Sequence, residues 1–136
     1  MSFLLDTNAV SEVRRKNPDA KVVRWFRQVD PSALYISVLT LGEIAKGAAM
    51  RATRDPTQAS IFYDWLEIVR RNYADRTLDV DAAVAETWGR LAGERTLPVL
   101  DALLVATALV HNMTIVTRNV HNIAPAGVRI INPWTA

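Results

Sequence analysis

Four short β-forming runs, separated by stretches with helical periodicity, constrain this chain more than any other feature. They are residues 2–5, "ALYISV" (33–38), "MTIVT" (113–117) and "VRIIN" (128–132), with "TLDV" (77–80) as a further short extended piece. Between them, apolar residues recur at helical spacing. Val22, Val23, Phe26 and Val29 follow Asp19, Ile61, Trp65, Ile68 and Val69 mark residues 57–74, and Val84, Trp88 and Leu91 mark a helix ending near Arg95. Residues 7–15 read as a further helix, and 99–111 as one that is apolar nearly all round and so expected to be buried. Thr40 with Glu43 three residues on has capping-box spacing at the head of another helix. Breaks fall at Asn17-Pro18, Asp30-Pro31 and Asp55-Pro56. Strands alternating with helices predict an α/β fold, with a mainly parallel sheet and helices on both faces. The length, 136 residues, suits a single domain over 1–136.

Composition narrows the chemistry. There is no cysteine, hence no disulfide and no thiolate chemistry. The longest apolar segment, residues 99–110, is broken by Asp101 and Thr107 and falls short of the roughly 20 residues that span a bilayer. A soluble, cytoplasmic protein is expected. The net charge of +2 is too small to argue for a nucleic-acid partner. The early cluster Arg14, Arg15, Lys16, Lys21, Arg24 and Arg27, with Lys46, Arg51 and Arg54 further on, fits a solvated surface or a phosphate-binding one equally well. No P-loop, G-x-G-x-x-G or G-x-S-x-G is present. His111 and His121 lack ligand spacing and read as structural or surface groups, with His121 in a loop. Trp65 and Trp88 sit at core spacing, and Trp25 and Trp134 have no clear assignment.

Three acids stand in apolar settings: Asp6 after Leu4-Leu5, Glu43 within "LTLGEIA", and Asp101 within "PVLDALLVA". A lone buried carboxylate is costly and tends to become neutral. Each has a plain structural explanation. Asp6 can cap the first helix, Glu43 can close the box with Thr40, and Asp101 can favour the positive end of its helix. All three lie near helix N-termini, and in a parallel sheet the helices that follow strands begin along one edge. Ligands gather beyond the carboxyl ends of such strands. Three carboxylates meeting there, with no Cys or His in the same motifs, describe an all-oxygen site for Mg²⁺ or Mn²⁺. Thr7, Asn8, Thr117 and Asn119 are short polar groups suited to orienting them, with helix-end hydrogen bonding as the alternative for Thr7 and Asn8.

The ordered motifs "LLDTNAVSE", "VLTLGEIAKG", "LPVLDALLVATAL", "IVTRN" and "INPW" resemble a PIN domain, more narrowly the VapC/FitB type of toxin ribonuclease. The resemblance runs from residue 3 to residue 134. It implies a three-layer α/β/α fold and a Mg²⁺- or Mn²⁺-dependent endoribonuclease. It further implies a homodimer held inactive by a VapB-like antitoxin, with RNA as substrate and higher assembly with antitoxin as an option. Asp6, Glu43 and Asp101 match the first three catalytic acids, and Thr7, Asn8, Thr117 and Asn119 the polar residues around them. An antitoxin arginine is expected to suit the acidic pocket. Arg14, Arg15, Lys16 and Lys46 are candidates to hold the RNA backbone.

The chain departs from the family at the fourth acid. Where relatives carry aspartate directly after "TR" or three positions later, Asn119 and Asn122 stand here. One metal is expected to be retained by Asp6 and Asp101 with Glu43 nearby, and a second to bind more weakly. Two other readings follow. One is a PIN-like module that binds RNA or antitoxin without cutting. The other is a phosphoacceptor receiver domain, which ranks last because Asp6 has no acidic neighbour and the late strand offers Arg118 rather than lysine.

Overall fold

The computed structural model describes residues 1–135. Among these residues five strands form one sheet: β1 (Phe3–Leu5), β2 (Leu34–Ser37), β3 (Thr77–Leu78), β4 (Thr114–Val116) and β5 (Ile130–Ile131). Seven helices accompany them: α1 (Thr7–Glu12), α2 (Ala20–Gln28), α3 (Val38–Arg51), α4 (Pro56–Asn72), α5 (Ala82–Glu94), α6 (Val99–His111) and α7 (Val120–Ile123). The strand order is β3-β2-β1-β4-β5, and every pairing is parallel, so the sheet is wholly rather than mainly parallel.

Alternation along the strands builds the layers, because neighbouring side chains point to opposite faces. Phe3 and Leu5 join Leu34, Ile36 and Val116 in a core covered by α1 to α4. Leu4 and Ile115 join a second core with Val84 and Leu91 of α5, Val105 and Ala106 of α6, and Ile123 of α7. The central strands β1 and β4 are buried at every position, which explains why they read as apolar runs, whereas the edge strands β3 and β5 are half-buried.

Register places the site. Leu5 pairs with Val116, so the next residues, Asp6 and Thr117, leave the sheet side by side. From β1 the chain builds toward β2 and β3, whereas β4 and β5 extend the opposite edge. Asp6 and Thr117 therefore stand where the strand order reverses, the crevice in which open parallel sheets bind ligands. Helix α3, which carries Glu43, packs closely on α4: a Cβ at Gly47 would lie 3.1 Å from the Phe62 ring.

Several local expectations change. Ser37, not Thr40, caps α3, its hydroxyl accepting from Leu39 N at 3.0 Å. Strand β2 runs into α3 without a loop, so the last strand residue becomes the cap, and Thr40 lies buried inside the helix. Helix α1 ends at Glu12 rather than near residue 15, because Arg14 N and Arg15 N turn back tightly to Ser11 O and Glu12 O. His121 lies on α7, not in a loop, since four residues are too few to show a helical period. Helix α6 is buried only in part. Val99 and Leu100 at its start, and Leu109 and Val110 near its end, are exposed, so its all-round hydropathy overstates what the fold covers. Among the described residues no helix is long and apolar enough to cross a membrane.

Candidate active site

Asp6 is fixed through both carboxylate oxygens. Oδ1 accepts from Ala9 N at 2.8 Å and caps α1. Oδ2 accepts from the Thr117 hydroxyl. The capping role proposed from sequence is thus real, and it leaves the carboxylate facing the crevice. Thr117 is itself buried, and its oxygen accepts from Asn119 N at 3.0 Å. The loop after β4 and the start of α1 are joined through this one hydroxyl.

Glu43 comes from the second turn of α3, which follows β2 directly. It is exposed, and Oε1 accepts from Thr7 Oγ1 at 2.6 Å. The hydroxyl of buried Thr40 lies 3.3 Å from Thr7 Oγ1, placed to donate to it. Thr40, one helical turn before Glu43, therefore steadies the acid through Thr7 rather than by closing a capping box. Its three-residue spacing from Glu43 was the available signal, with the wrong mechanism attached. Asp101 lies in the first turn of α6, as expected, and Asn119 Nδ2 is 3.4 Å from its Oδ2.

Asp6, Glu43 and Asp101 line one cavity of about 100 Å³ together with Thr7, Asn8 and Asn119. Thr117 acts from behind Asp6. Leu39, Leu100 and Leu104 form apolar rim groups that the sequence did not single out as site residues. Asn122 does not join the site. It is exposed on α7 and does not line the cavity. Arg14 rests on aromatic rings, 4.3 Å from the Trp65 centroid and 5.2 Å from that of Phe62. Arg15 pairs with Glu12 at 3.3 Å. Lys16 and Lys46 are exposed, and none of these four cations lines the cavity.

The electrostatics are one-sided, since no lysine or arginine lines the cavity. Burial pushes the Asp6 carboxyl above its ordinary value. The hydrogen bonds from Thr117 and Ala9 oppose that rise, and the nearby charges of Glu43 and Asp101 add to it. An anionic pocket without a protein counter-charge, built from oxygen donors alone, fits a hard divalent cation. Among the described residues no three His, Cys, Asp or Glu groups are gathered tightly enough to enclose an ion by themselves.

Comparison with known proteins agrees with this architecture. The PIN domain profile matches residues 3–123. The chain is 36% identical to the VapC ribonuclease Y4jK of Sinorhizobium fredii, over 97% of each chain. Its structure superposes on that of FitAcB from Neisseria gonorrhoeae with a TM-score of 0.87 at 28% identity, covering 98% of this chain and 99% of the other. FitAB bound to the IR36 DNA fragment gives a TM-score of 0.85, also at 28% identity, covering 97% and 95%. The parallel sheet, the acids at its carboxyl edge and these full-length similarities agree: the chain belongs to the PIN-domain family, where its relatives are the VapC and FitB toxins of toxin–antitoxin systems.

Proposed function

We propose that this chain, acting as one PIN domain over residues 1–136, is a Mg²⁺- or Mn²⁺-dependent endoribonuclease toxin that a VapB-like antitoxin silences. The observation that carries this reading is the convergence of Asp6, Glu43 and Asp101 on one cavity that no protein cation lines. Asp6 and Asp101 would hold the ion, with Glu43 beside it. When bound, a divalent ion supplies Lewis acidity, polarising the phosphodiester and acidifying water.

The remaining work falls to the chain. Thr117 and the first turn of α1 hold Asp6 facing the crevice. Thr7 holds Glu43 at the exposed rim, where its carboxylate can accept the proton of an attacking water. Asn119 steadies Asp101. No side chain in the cavity suggests a covalent intermediate. The same uncompensated negative charge would attract an arginine from an antitoxin tail. An antitoxin partner is carried over from relatives solved as toxin–antitoxin complexes; a homodimer, a larger assembly with antitoxin and a cytoplasmic location are proposed from the family resemblance alone.

Cleavage of purified tRNA and ribosomal RNA by antitoxin-free chain tests the proposal, in Mg²⁺, in Mn²⁺ and in EDTA, beside Asp6→Asn. Cutting that needs the metal and is lost in Asp6→Asn supports it. No cutting by folded protein in either metal would overturn it. It would favour instead a module that binds RNA or antitoxin without cleavage, a reading that the amide of Asn119 at the acidic site supports.

A further inference from the structure

Asn119 is half-buried at the carboxyl end of β4 and faces the same cavity as the three acids. Its position is fixed from behind, because its backbone N–H binds Thr117 Oγ1. Its side-chain nitrogen lies 3.4 Å from Asp101 Oδ2. The opposite amide orientation would set a carbonyl oxygen against a carboxylate, two acceptors in contact, so the donor end belongs there. The partial positive charge of the amide hydrogens therefore stands against the Asp101 carboxylate.

We infer that Asn119 is a built-in neutral substitute for a second cation, so that this centre takes one divalent ion per chain. The inference rests on the metal-dependent reading above. The charge balance supports it. Three carboxylates line the cavity and no lysine or arginine joins them, so one divalent ion leaves the site slightly anionic. A second would leave it cationic, with no further carboxylate in the cavity to balance it. Aspartate at this position would remove the donor, add a fourth negative charge and match two divalent ions.

Titration calorimetry of the full chain with Mn²⁺, paired with thermal melts in EDTA and in Mn²⁺, tests this without reference to activity. Wild type should bind one ion per chain. Asn119→Asp should melt lower in EDTA, because repulsion grows and a donor is lost. It should bind a second ion, hold the first about tenfold more tightly, and show a larger rise in Tm with Mn²⁺ than wild type. Two ions bound by wild type and lost in Asp6→Asn would overturn the role of Asn119 and leave the metal-dependent reading standing. Unchanged stoichiometry and affinity in Asn119→Asp would also overturn it. No Mn²⁺ binding by folded wild type would remove the metal-dependent reading itself.

Discussion

Thr117 gives its hydroxyl hydrogen to Asp6 Oδ2, joining the carboxyl ends of β4 and β1 across 111 positions of chain. The other Asp6 oxygen is held by the first turn of α1, so the orientation of this carboxylate depends on a single distant side chain. Thr117→Val keeps the shape and removes the hydroxyl, which also deprives Asn119 N of its acceptor. It should cost about 1–3 kcal/mol of stability and weaken Mn²⁺ binding about 10–100-fold, with Thr117→Ser restoring most of both. Denaturant melts and calorimetry read the two effects separately. Wild-type Mn²⁺ affinity in Thr117→Val would show that the hydroxyl does not orient Asp6.

Asp6 makes stability and function oppose each other. Burial raises its carboxyl above the ordinary value of 3.8, so between that value and the raised one the folded chain binds more protons than the unfolded. Stability then falls as pH rises through this window and stays lower above it. Asp6→Asn removes the charge and keeps an oxygen for the α1 cap. In EDTA at neutral pH it should melt above wild type, while RNA cleavage is lost. The gap in Tm should close as pH falls toward 3.8. A variant that melts lower than wild type at neutral pH would mean that ionised Asp6 is stabilising in the metal-free chain.

Glu12 should show the opposite pH signature. It is buried, and it accepts from Asp19 N at 3.0 Å, Arg15 Nη1 at 3.3 Å and Trp134 Nε1 at 3.4 Å. The Asp19 N–H chiefly holds its carboxyl below the ordinary value of 4.5; Arg15 and Trp134 add to that and burial opposes it. The stability this contributes is complete above 4.5 and is lost as pH falls through the lowered value. Glu12→Gln should therefore cost about 1–2 kcal/mol at neutral pH, with the difference vanishing in acid. Urea denaturation across pH would reveal it, and a pH-independent difference would show that the lost acceptor oxygen rather than the lost charge matters at this position.

Much of this was legible in the sequence because it was local. Leu4 and Leu5 run into Asp6, and Thr114 to Thr117 ends a β-rich run, so both strand ends and their polar residues could be placed before the sheet was known. The acids stood out because charge interrupts apolar patterning. What stayed hidden depended on distant partners. Glu12 resembles an ordinary surface acid until Trp134 arrives from 122 positions away. Trp134 had no assignment for the same reason, and Trp25 none until Phe3 is seen edge-on to it, 5.2 Å between centroids. Thr40 and Ser37 are both able to cap a helix, and only the length of β2 decides between them. The exposure of Val99 and Leu100 could not be read from hydropathy, which records a preference for burial and not the presence of a cover.

The basic residues near the start of the chain divide into two kinds, and RNA binding should separate them. Arg14 lies over the Trp65 and Phe62 rings and Arg15 pairs with Glu12, so both are engaged away from the cavity. Lys16 is exposed after α1, and Lys46 is exposed on α3 one turn beyond Glu43. On a catalytically silent Asp6→Asn background, Lys46→Ala and Lys16→Ala should each weaken binding of single-stranded RNA. Each should also lower the log–log salt slope by about 0.7, with Tm unchanged. Arg14→Ala should instead cost about 0.5–1 kcal/mol of stability through the lost ring contact and leave the salt slope alone. Fluorescence anisotropy at several salt concentrations, run beside thermal melts, distinguishes the two. A reduced slope in Arg14→Ala with no effect from Lys46→Ala would move the RNA path off the rim beside Glu43 and onto the surface between α1 and α4.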